Sequence, residues 1–327
     1  MGNAIKLPRR RFLHLIAGTA ALPAVSSIAR AQAYPTRPVR IIVAAAAGGP
    51  TDLVARLIGQ WFSDRTGQRF IVENRAGGSN NIGTEAVVRS PADGYTLLLA
   101  NVVNAINATL FEKLSYDFLR DIAPIASIAR VPNVMEVHPS LPVTTVPEFI
   151  AYAKANQVNM GSAGNGTIGH VSCELFKMMS GVNIVHVPYR GSAPMLTDLL
   201  GGQVQVTIDN VAGSIEHIRS GKLRALAVTT ATRWEGLPDT PTVGDFLPGF
   251  EASGWYGIGT PSKTPAYIVE RLNIETNSAL ADPKIQARLS DLGFTVLAGS
   301  PADFRKLIAQ ETEKWGKVVK ASGAKPD

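Results

Sequence analysis

Two stretches of this chain put glycines and small hydroxyl residues where a strand gives way to a helix. In GSAGNGTIGHVSCELFKMM, residues 161–179, a strand ends, the chain turns at Gly164 and Gly166, and a helix is entered at Thr167. Ile168, Val171, Leu175 and Met178 then recur at helical spacing. In AAAAGGPTDLVARLIGQWF, residues 44–62, a strand runs into Gly48 and Gly49, and Pro50, Thr51 and Asp52 open a helix carrying Leu53, Val54, Leu57, Ile58 and Trp61. The first N–H groups of a helix have no partner inside it, and its dipole is positive there. A glycine turn that brings such an end close to a ligand makes an anion site. The chemistry on offer is hydrogen-bond donation to a carboxylate or phosphate, from backbone N–H groups and from the hydroxyls of Thr51, Ser162 and Thr167.

Other chemistries fit less well. Gly164-x-Gly166-x-x-Gly169 matches the dinucleotide fingerprint between a strand and a helix, but the acid expected about twenty residues on is missing. The next strand ends instead in Tyr189 and Arg190. An NADP reading could use Arg190, but it would rest on fold analogy alone. Ser162 lies in a glycine-rich turn, yet a Gly-x-Ser-x-Gly elbow fails because residue 160 is Met. His170 and His186 have no acid at a fixed spacing, and the five histidines show no paired metal spacing. Cys173 is the only cysteine, so no internal disulfide or cysteine cluster forms, and a small packed residue is expected there. Neither a cofactor nor a metal is expected. Asp52, in the first turn of its helix, reads as a cap as readily as a ligand group. Asp209 ends an apolar strand and must face something polar, because a lone buried charge is costly. Trp61, Trp234, Trp255 and Trp315 are scattered and read as core.

Holding such loops requires parallel strands. Val39–Val43 is a β-branched run suited to one. Residues 70–73 read as a second strand, Gly77 and Gly78 open a helix with Ile82, Ala86 and Val87, and residues 95–100 read as a third strand. This alternation predicts a doubly wound α/β sheet, in which ligands bind beyond the carboxyl ends of the strands. Residues 122–137, broken by Pro124 and Pro132, read as an extended crossover into a second domain. There a helix at 148–155 precedes the strand 158–162 that feeds the Gly164 turn. Strands at 184–189, 204–209 and 223–229 alternate with helices at 194–200 and 214–219. A return strand at 252–260 leads to a helical tail, 265–280, 283–292 and 301–321, expected to pack back on the first domain. Two crossings make a hinge, and a cleft. The expected division is 34–127 with 247–327 as one lobe and 128–246 as the other.

The chain has 327 residues, 45% hydrophobic and 18% charged, enough for two cores. Its formal charge of +6 is uneven. Residues 1–33 hold Lys6, Arg9, Arg10, Arg11 and Arg30 with no acid, and the body beyond is nearly neutral. That removes the electrostatic case for nucleic acid or a membrane surface. The basic start, the apolar run to Ala29 and the small residues Ala31 and Ala33 read as a secretory leader cleaved near Ala33, which places the protein in the periplasm. Arg-Arg-x-Phe-Leu resembles a twin-arginine signal, although Pro8 and His14 depart from it, and the export route stays open between Tat and Sec. No later stretch reaches 18 uninterrupted apolar residues, so the mature chain is expected to be soluble.

The chain also carries a family resemblance. YPTRPVRIIV, GGPTDLVAR, VENRAGG, ADGYTLLLA, INATLFEKLSYDFLRDIAPIA, GSAGNGTIGH, VHVPYRGSAP, GGQVQVTIDN, LRALAVTTATR, PTVGDF and GSPADF, in register from Tyr34 to the C-terminus, resemble the periplasmic substrate-binding receptors of tripartite tricarboxylate transporters, the Bug receptor family. The resemblance implies a type II periplasmic-binding-protein fold of two doubly wound α/β lobes joined by a two-strand hinge. It also implies a monomer that closes on a small organic acid, with membrane transporter subunits as partners. In that family one loop from each lobe holds a carboxylate. The matching positions are Gly48, Gly49, Thr51 and Asp52 in one lobe and Ser162, Gly164, Gly166 and Thr167 in the other, with Asp209 lining the cleft. Asn101 and Asn104 end the third strand in a segment that varies among relatives; Asn101 is a candidate wall of the distal pocket. Ala44 to Ala47 replace a more usual proline-containing approach, and the loop at Ala155-Asn156-Gln157-Val158 is shortened away from the pocket.

The expectation is therefore a solute receptor. A ligand sensor feeding a two-component kinase is the second reading, and a secreted α/β enzyme, which lacks an acid, base and nucleophile set, is the third. Arg190 alone is placed to demand a second carboxylate.

Overall fold

Strand β1 (Val39–Val43) runs into α1 (Pro50–Thr66), and β2 (Phe70–Asn74), α2 (Asn81–Val88), β3 (Thr96–Asn101) and α3 (Val102–Leu110) continue the alternation. The computed structural model describes residues 1–2 and 34–326; the arginines and cleavage site of the expected leader fall outside the described residues. After the short α4 (Phe118–Asp121), the run read as a crossover is two strands, β4 (Ile122–Val131) and β5 (Asn133–Val137), separated by Pro132 alone. Then follow α5 (Val146–Ala155), β6 (Val158–Ser162), α6 (Ile168–Ser180), β7 (Ile184–Pro188), α7 (Ser192–Leu200), β8 (Val206–Asn210), α8 (Val211–Arg219) and β9 (Arg224–Val228). The return is β10 (Gly254–Pro261), and the tail is α9 (Ala266–Ala281), α10 (Pro283–Asp291), β11 (Thr295–Val296) and α11 (Pro301–Ser322).

These strands form two sheets. The first has the order β11-β4-β10-β3-β1-β2, the second β7-β6-β8-β5-β9. β1 is parallel to β2 and β3, so the turns after Val43, Asn74 and Asn101 all leave one edge of the first sheet. β6 is parallel to β7 and β8, which does the same for the turns after Ser162, Pro188 and Asn210 in the second. Strand polarity thus carries both glycine loops to strand carboxyl ends, where open α/β sheets bind ligands.

The chain crosses between the sheets at Pro132 and returns ahead of β10. Asn133 Nδ2 donates to the Ala252 carbonyl at 2.8 Å, and Ala252 N–H donates to the Thr229 carbonyl at 2.9 Å. Thr229 N–H in turn donates to the Asn133 carbonyl at 2.9 Å. Both crossings are tied into one hydrogen-bonded joint, a two-strand hinge.

The helical tail does return to the first sheet. α11 packs on α3 and β4, with Phe304 edge-on to Trp255 at 5.4 Å and 83°. A side chain at Gly257 would overlap the Phe304 ring, so the strand approaches the helix closely there. α11 also touches α6 of the second lobe. Trp255 and Trp315 are fully buried as expected, but Trp61 and Trp234 are part-exposed. Trp234 escapes the core because it lies in irregular chain after β9, outside the apolar periodicity that fills the sheets' faces. Cys173 is buried, and burial raises its thiol well above the ordinary value, as a packed residue requires. Among the described residues no group of three or more His, Cys, Asp or Glu could hold a metal, and no helix is long and apolar enough to cross a membrane.

Candidate functional site

The first-lobe loop is built by Asp52. Gly49 caps α1 in extended conformation, Gly48 takes φ +81°, and Pro50 lacks an N–H. Leu53 N–H donates to the Gly49 carbonyl, which leaves the N–H groups of Thr51 and Asp52 unclaimed by the helix. Asp52 Oδ2 accepts from Gly48 N–H at 2.9 Å and from Arg56 Nε at 2.9 Å, while Oδ1 has no hydrogen-bond partner. Burial would raise this carboxyl, but the bonds from Arg56, Gly48 and Asn74 hold it below the ordinary carboxylate value. Asp52 is thus a tie that folds Gly48 over the helix end. Asn74 Nδ2 fixes the approach by donating to the Ala45 carbonyl at 3.1 Å.

Asn101 faces the same edge from β3. It caps α3 in a capping box with Asn104, accepting from Val103 N–H at 3.0 Å. Its Oδ1 also accepts from Asn80 Nδ2 at 3.0 Å. Ser79 and Asn80 both hold positive φ, 48° and 73°, a left-handed conformation costly for non-glycine residues. The bond from Asn80 to Asn101, and the donation of Asn107 Nδ2 to the Ser79 carbonyl, hold that turn in place. Tyr256 of β10 is in register with Asn101. Its phenol is raised to about 12 by burial, opposed by a hydrogen bond with the Thr51 side chain.

The second-lobe loop closes on itself. Ser162 is fully buried; its Oγ lies 2.6 Å from His186 Nε2 and 3.2 Å from both the N and the O of Gly164. The His186 ring stacks on His170 at 4.0 Å and 6°, and His170 Nδ1 accepts from Gly166 N–H at 3.1 Å. Thr167 caps α6, donating through Oγ1 to the Gly164 carbonyl at 2.7 Å and accepting from His170 N–H at 3.4 Å. The hydroxyls expected to reach a ligand directly are therefore engaged inside their own loop. What the loop presents is the helix end itself, where Ile168 and Gly169 N–H remain unclaimed. Gly164 and Gly166 take φ +132° and +73°, which accounts for both glycines.

Asp209 is buried near the end of β8, and its Oδ2 has no hydrogen-bond partner. Burial raises its carboxyl against the Ser192 hydroxyl and the Asn210 N–H. Glu136 is in register with Thr207, two residues from Asp209, so both acids share one face of the second sheet.

The lobes touch at two further points. Gly166 packs against the Leu110 side chain at the end of α3, the helix that Asn101 caps. Gly293 of the first lobe is close to Val211 and Ala212, which follow Asp209. Tyr256, Asn80, Leu110 and the His170–His186 stack were not singled out from sequence for this site. Only the register of β10 on β3 could have flagged Tyr256.

Residues 54–324 match the model of the tripartite tricarboxylate transporter family receptor. The protein BugT of Bordetella pertussis is 36% identical over 320 residues, covering 96% of this chain and 98% of its own. Among solved structures, Rpa4515 of R. palustris with adipate is similar with TM-score 0.80 and 41% identity, covering 90% of this chain and all of its own. The periplasmic binding protein BugD is similar with TM-score 0.77 and 34% identity over 90% of this chain and all of its own.

Proposed function

Since the chain belongs to the tripartite tricarboxylate transporter receptor family, we propose that it captures a small organic carboxylate between its lobes and delivers it to membrane transporter subunits of that type. Two helix ends with unclaimed N–H groups, at Thr51–Asp52 in one lobe and Ile168–Gly169 in the other, support this reading most directly. Each is aimed from a strand's carboxyl edge, and Gly166 brings the second-lobe loop against α3. A carboxylate placed there takes charge-assisted hydrogen bonds from both lobes and so favours the closed form, which the membrane partner recognises. Rpa4515 was solved with adipate, which makes aliphatic dicarboxylates the first class to try.

In this reading Gly48, Gly49, Gly164 and Gly166 shape the loops, and Thr51, Asp52, Asn101, Thr167 and Asp209 line or brace the pocket. Ser162 acts through the loop it ties. We divide the lobes where the chain crosses, at Pro132 and near Ala252, which moves residues 128–131 of β4 from the expected 128–246 lobe to the one formed by 34–127 with 247–327. The protein is a periplasmic monomer, exported by its leader, and releases its ligand unchanged.

A thermal-shift screen of the chain from Tyr34 tests it, with mono-, di- and tricarboxylates, aromatic acids and neutral controls. A ligand at a hundred times its Kd adds about 2.7 kcal/mol of stability. A shift confined to carboxylates, lost in Thr51→Ala/Thr167→Ala, is expected. No shift with any acid, or a shift that survives the double variant, overturns the reading.

A further inference from the structure

A second hollow of about 640 Å³ opens beside the hinge, and none of its lining residues belongs to the cleft described above. One wall comes from the second lobe: Arg219 at the end of α8, then Arg233 and Trp234 in the segment after β9. The facing wall comes from the first lobe: Gln286 and Ser290 on α10, and Thr295 on β11. Its volume lies within the usual range for small-molecule sites, roughly 300–1,000 Å³.

The chemistry of the walls is specific. Two guanidiniums face a single acid, Glu235. Arg219 Nη1 bonds Glu216, whose side chain is 79% exposed, so that pair is solvated and readily exchanged. Arg233 Nη1 makes a long 3.4 Å bond to the Pro238 carbonyl. Both cations keep donors for an anion, in the fork geometry that suits a carboxylate. Trp234 supplies a flat face. A Cβ at Gly236 would overlap the Trp234 ring, so the indole is folded back over residue 236 and fits only because that residue is glycine. The same benzo edge approaches Gly293, where a Cβ would be 3.7 Å from Cζ2. The ring is thus fixed by backbone at its benzo edge while it lines the hollow, a preformed stacking surface.

We propose that this hollow is a second small-molecule site, for a flat anion of the aromatic carboxylate kind. Its carboxylate is held by Arg219 and Arg233, its ring lies on Trp234, and Gln286, Ser290 and Thr295 close it from the other lobe. An occupant touches both sides of the hinge and biases the lobe equilibrium from outside the cleft.

Benzoate is the probe. The chain has four tryptophans, and the Trp234 indole N–H signal in a nitrogen–proton NMR spectrum is identified by its loss in Trp234→Phe. Benzoate should move that signal, Arg219→Ala/Arg233→Ala should weaken the effect about tenfold, and Thr51→Ala in the cleft should leave it unchanged. Acetate, which has no ring, should bind far more weakly. Both arginines are on the surface, so their removal leaves the fold intact. The proposal is overturned if benzoate leaves the Trp234 signal in place, if the double arginine variant responds like the parent, or if acetate acts as well as benzoate. None of these outcomes depends on what the cleft binds.

Discussion

Gly166, in the glycine turn of the second lobe, lies against the Leu110 side chain of the first so closely that a methyl on its Cα would overlap Leu110 Cδ2. The turn that opens α6 is thus also a surface on which the lobes meet. Gly166→Ala should fail twice. It forces alanine to φ +73°, costing about 1–2 kcal/mol, and it pushes the loop off α3. We expect ligand affinity to fall about tenfold or more by calorimetry, with Leu110→Ala in the same chain recovering the steric part but not the backbone part. Equal affinity in Gly166→Ala and the parent would show that closure does not use this contact.

Asp52 gives a second prediction. Its Oδ2 holds Gly48 N–H and Arg56 together, and the folded carboxyl titrates below its ordinary value of 3.8. A depressed carboxyl contributes stability that is present above the ordinary value and lost as pH falls through the folded one. Asp52→Asn should therefore cost about 1–2 kcal/mol at neutral pH and much less in acid. Urea denaturation at the two pH values checks this; a cost independent of pH would mean that the charge is not what ties the loop.

Much of this arrangement was legible in the chain. The apolar spacing after Thr167 and Pro50 marked α6 and α1, because a helix buried on one face must repeat its apolar residues at 3.6. β4 and β5 read only as extended chain, since Pro124 and Pro132 interrupt the run; Pro124 is tolerated within β4, opposite Gly259. β11 has two residues and no pattern of its own. In the site, residue types predicted which loops matter but not where each hydroxyl points. Ser162 reads as a donor to ligand, and only its hydrogen bonds with His186 and Gly164 show that its hydroxyl is engaged within the second lobe. Contacts between distant segments, such as Thr51 with Tyr256, carry no periodic signal.

Glu136 is the clearest conflict between local sequence and burial. It is fully buried in β5, and neither carboxylate oxygen has a hydrogen-bond partner. Burial pushes it up to about 8; the Ser214 side chain opposes this, and Asp209 adds to it. A carboxyl raised in the folded state contributes stability that is present in full below 4.5 and lost as pH rises through about 8. Glu136→Gln, which mimics the protonated form, should raise the melting temperature near pH 9 and change it little near pH 5. Calorimetry at both values checks it, and a parent protein whose stability is flat between them would show that Glu136 titrates near its ordinary value in the fold, because a carboxyl kept neutral loses stability steadily across that range.

Arg190 bears on ligand choice. It is exposed, and its neighbours are pinned to the second-lobe loop: Tyr189 N–H donates to the Ser162 carbonyl at 2.9 Å and Gly191 N–H to the Ala163 carbonyl at 3.0 Å. Its backbone is therefore fixed beside the helix end proposed to take the first carboxylate, and among the described residues no acid forms an ion pair with it. A guanidinium held there favours a ligand whose second carboxylate extends past the first, and contributes little to a monocarboxylate. Arg190→Ala should weaken a dicarboxylate such as adipate about tenfold while leaving a monocarboxylate of the same length within about twofold. Because both acids use the same loops, the ratio cancels any general damage to the site. Equal losses for the two would place Arg190 outside the pocket and leave the second charge to be met by backbone N–H groups alone.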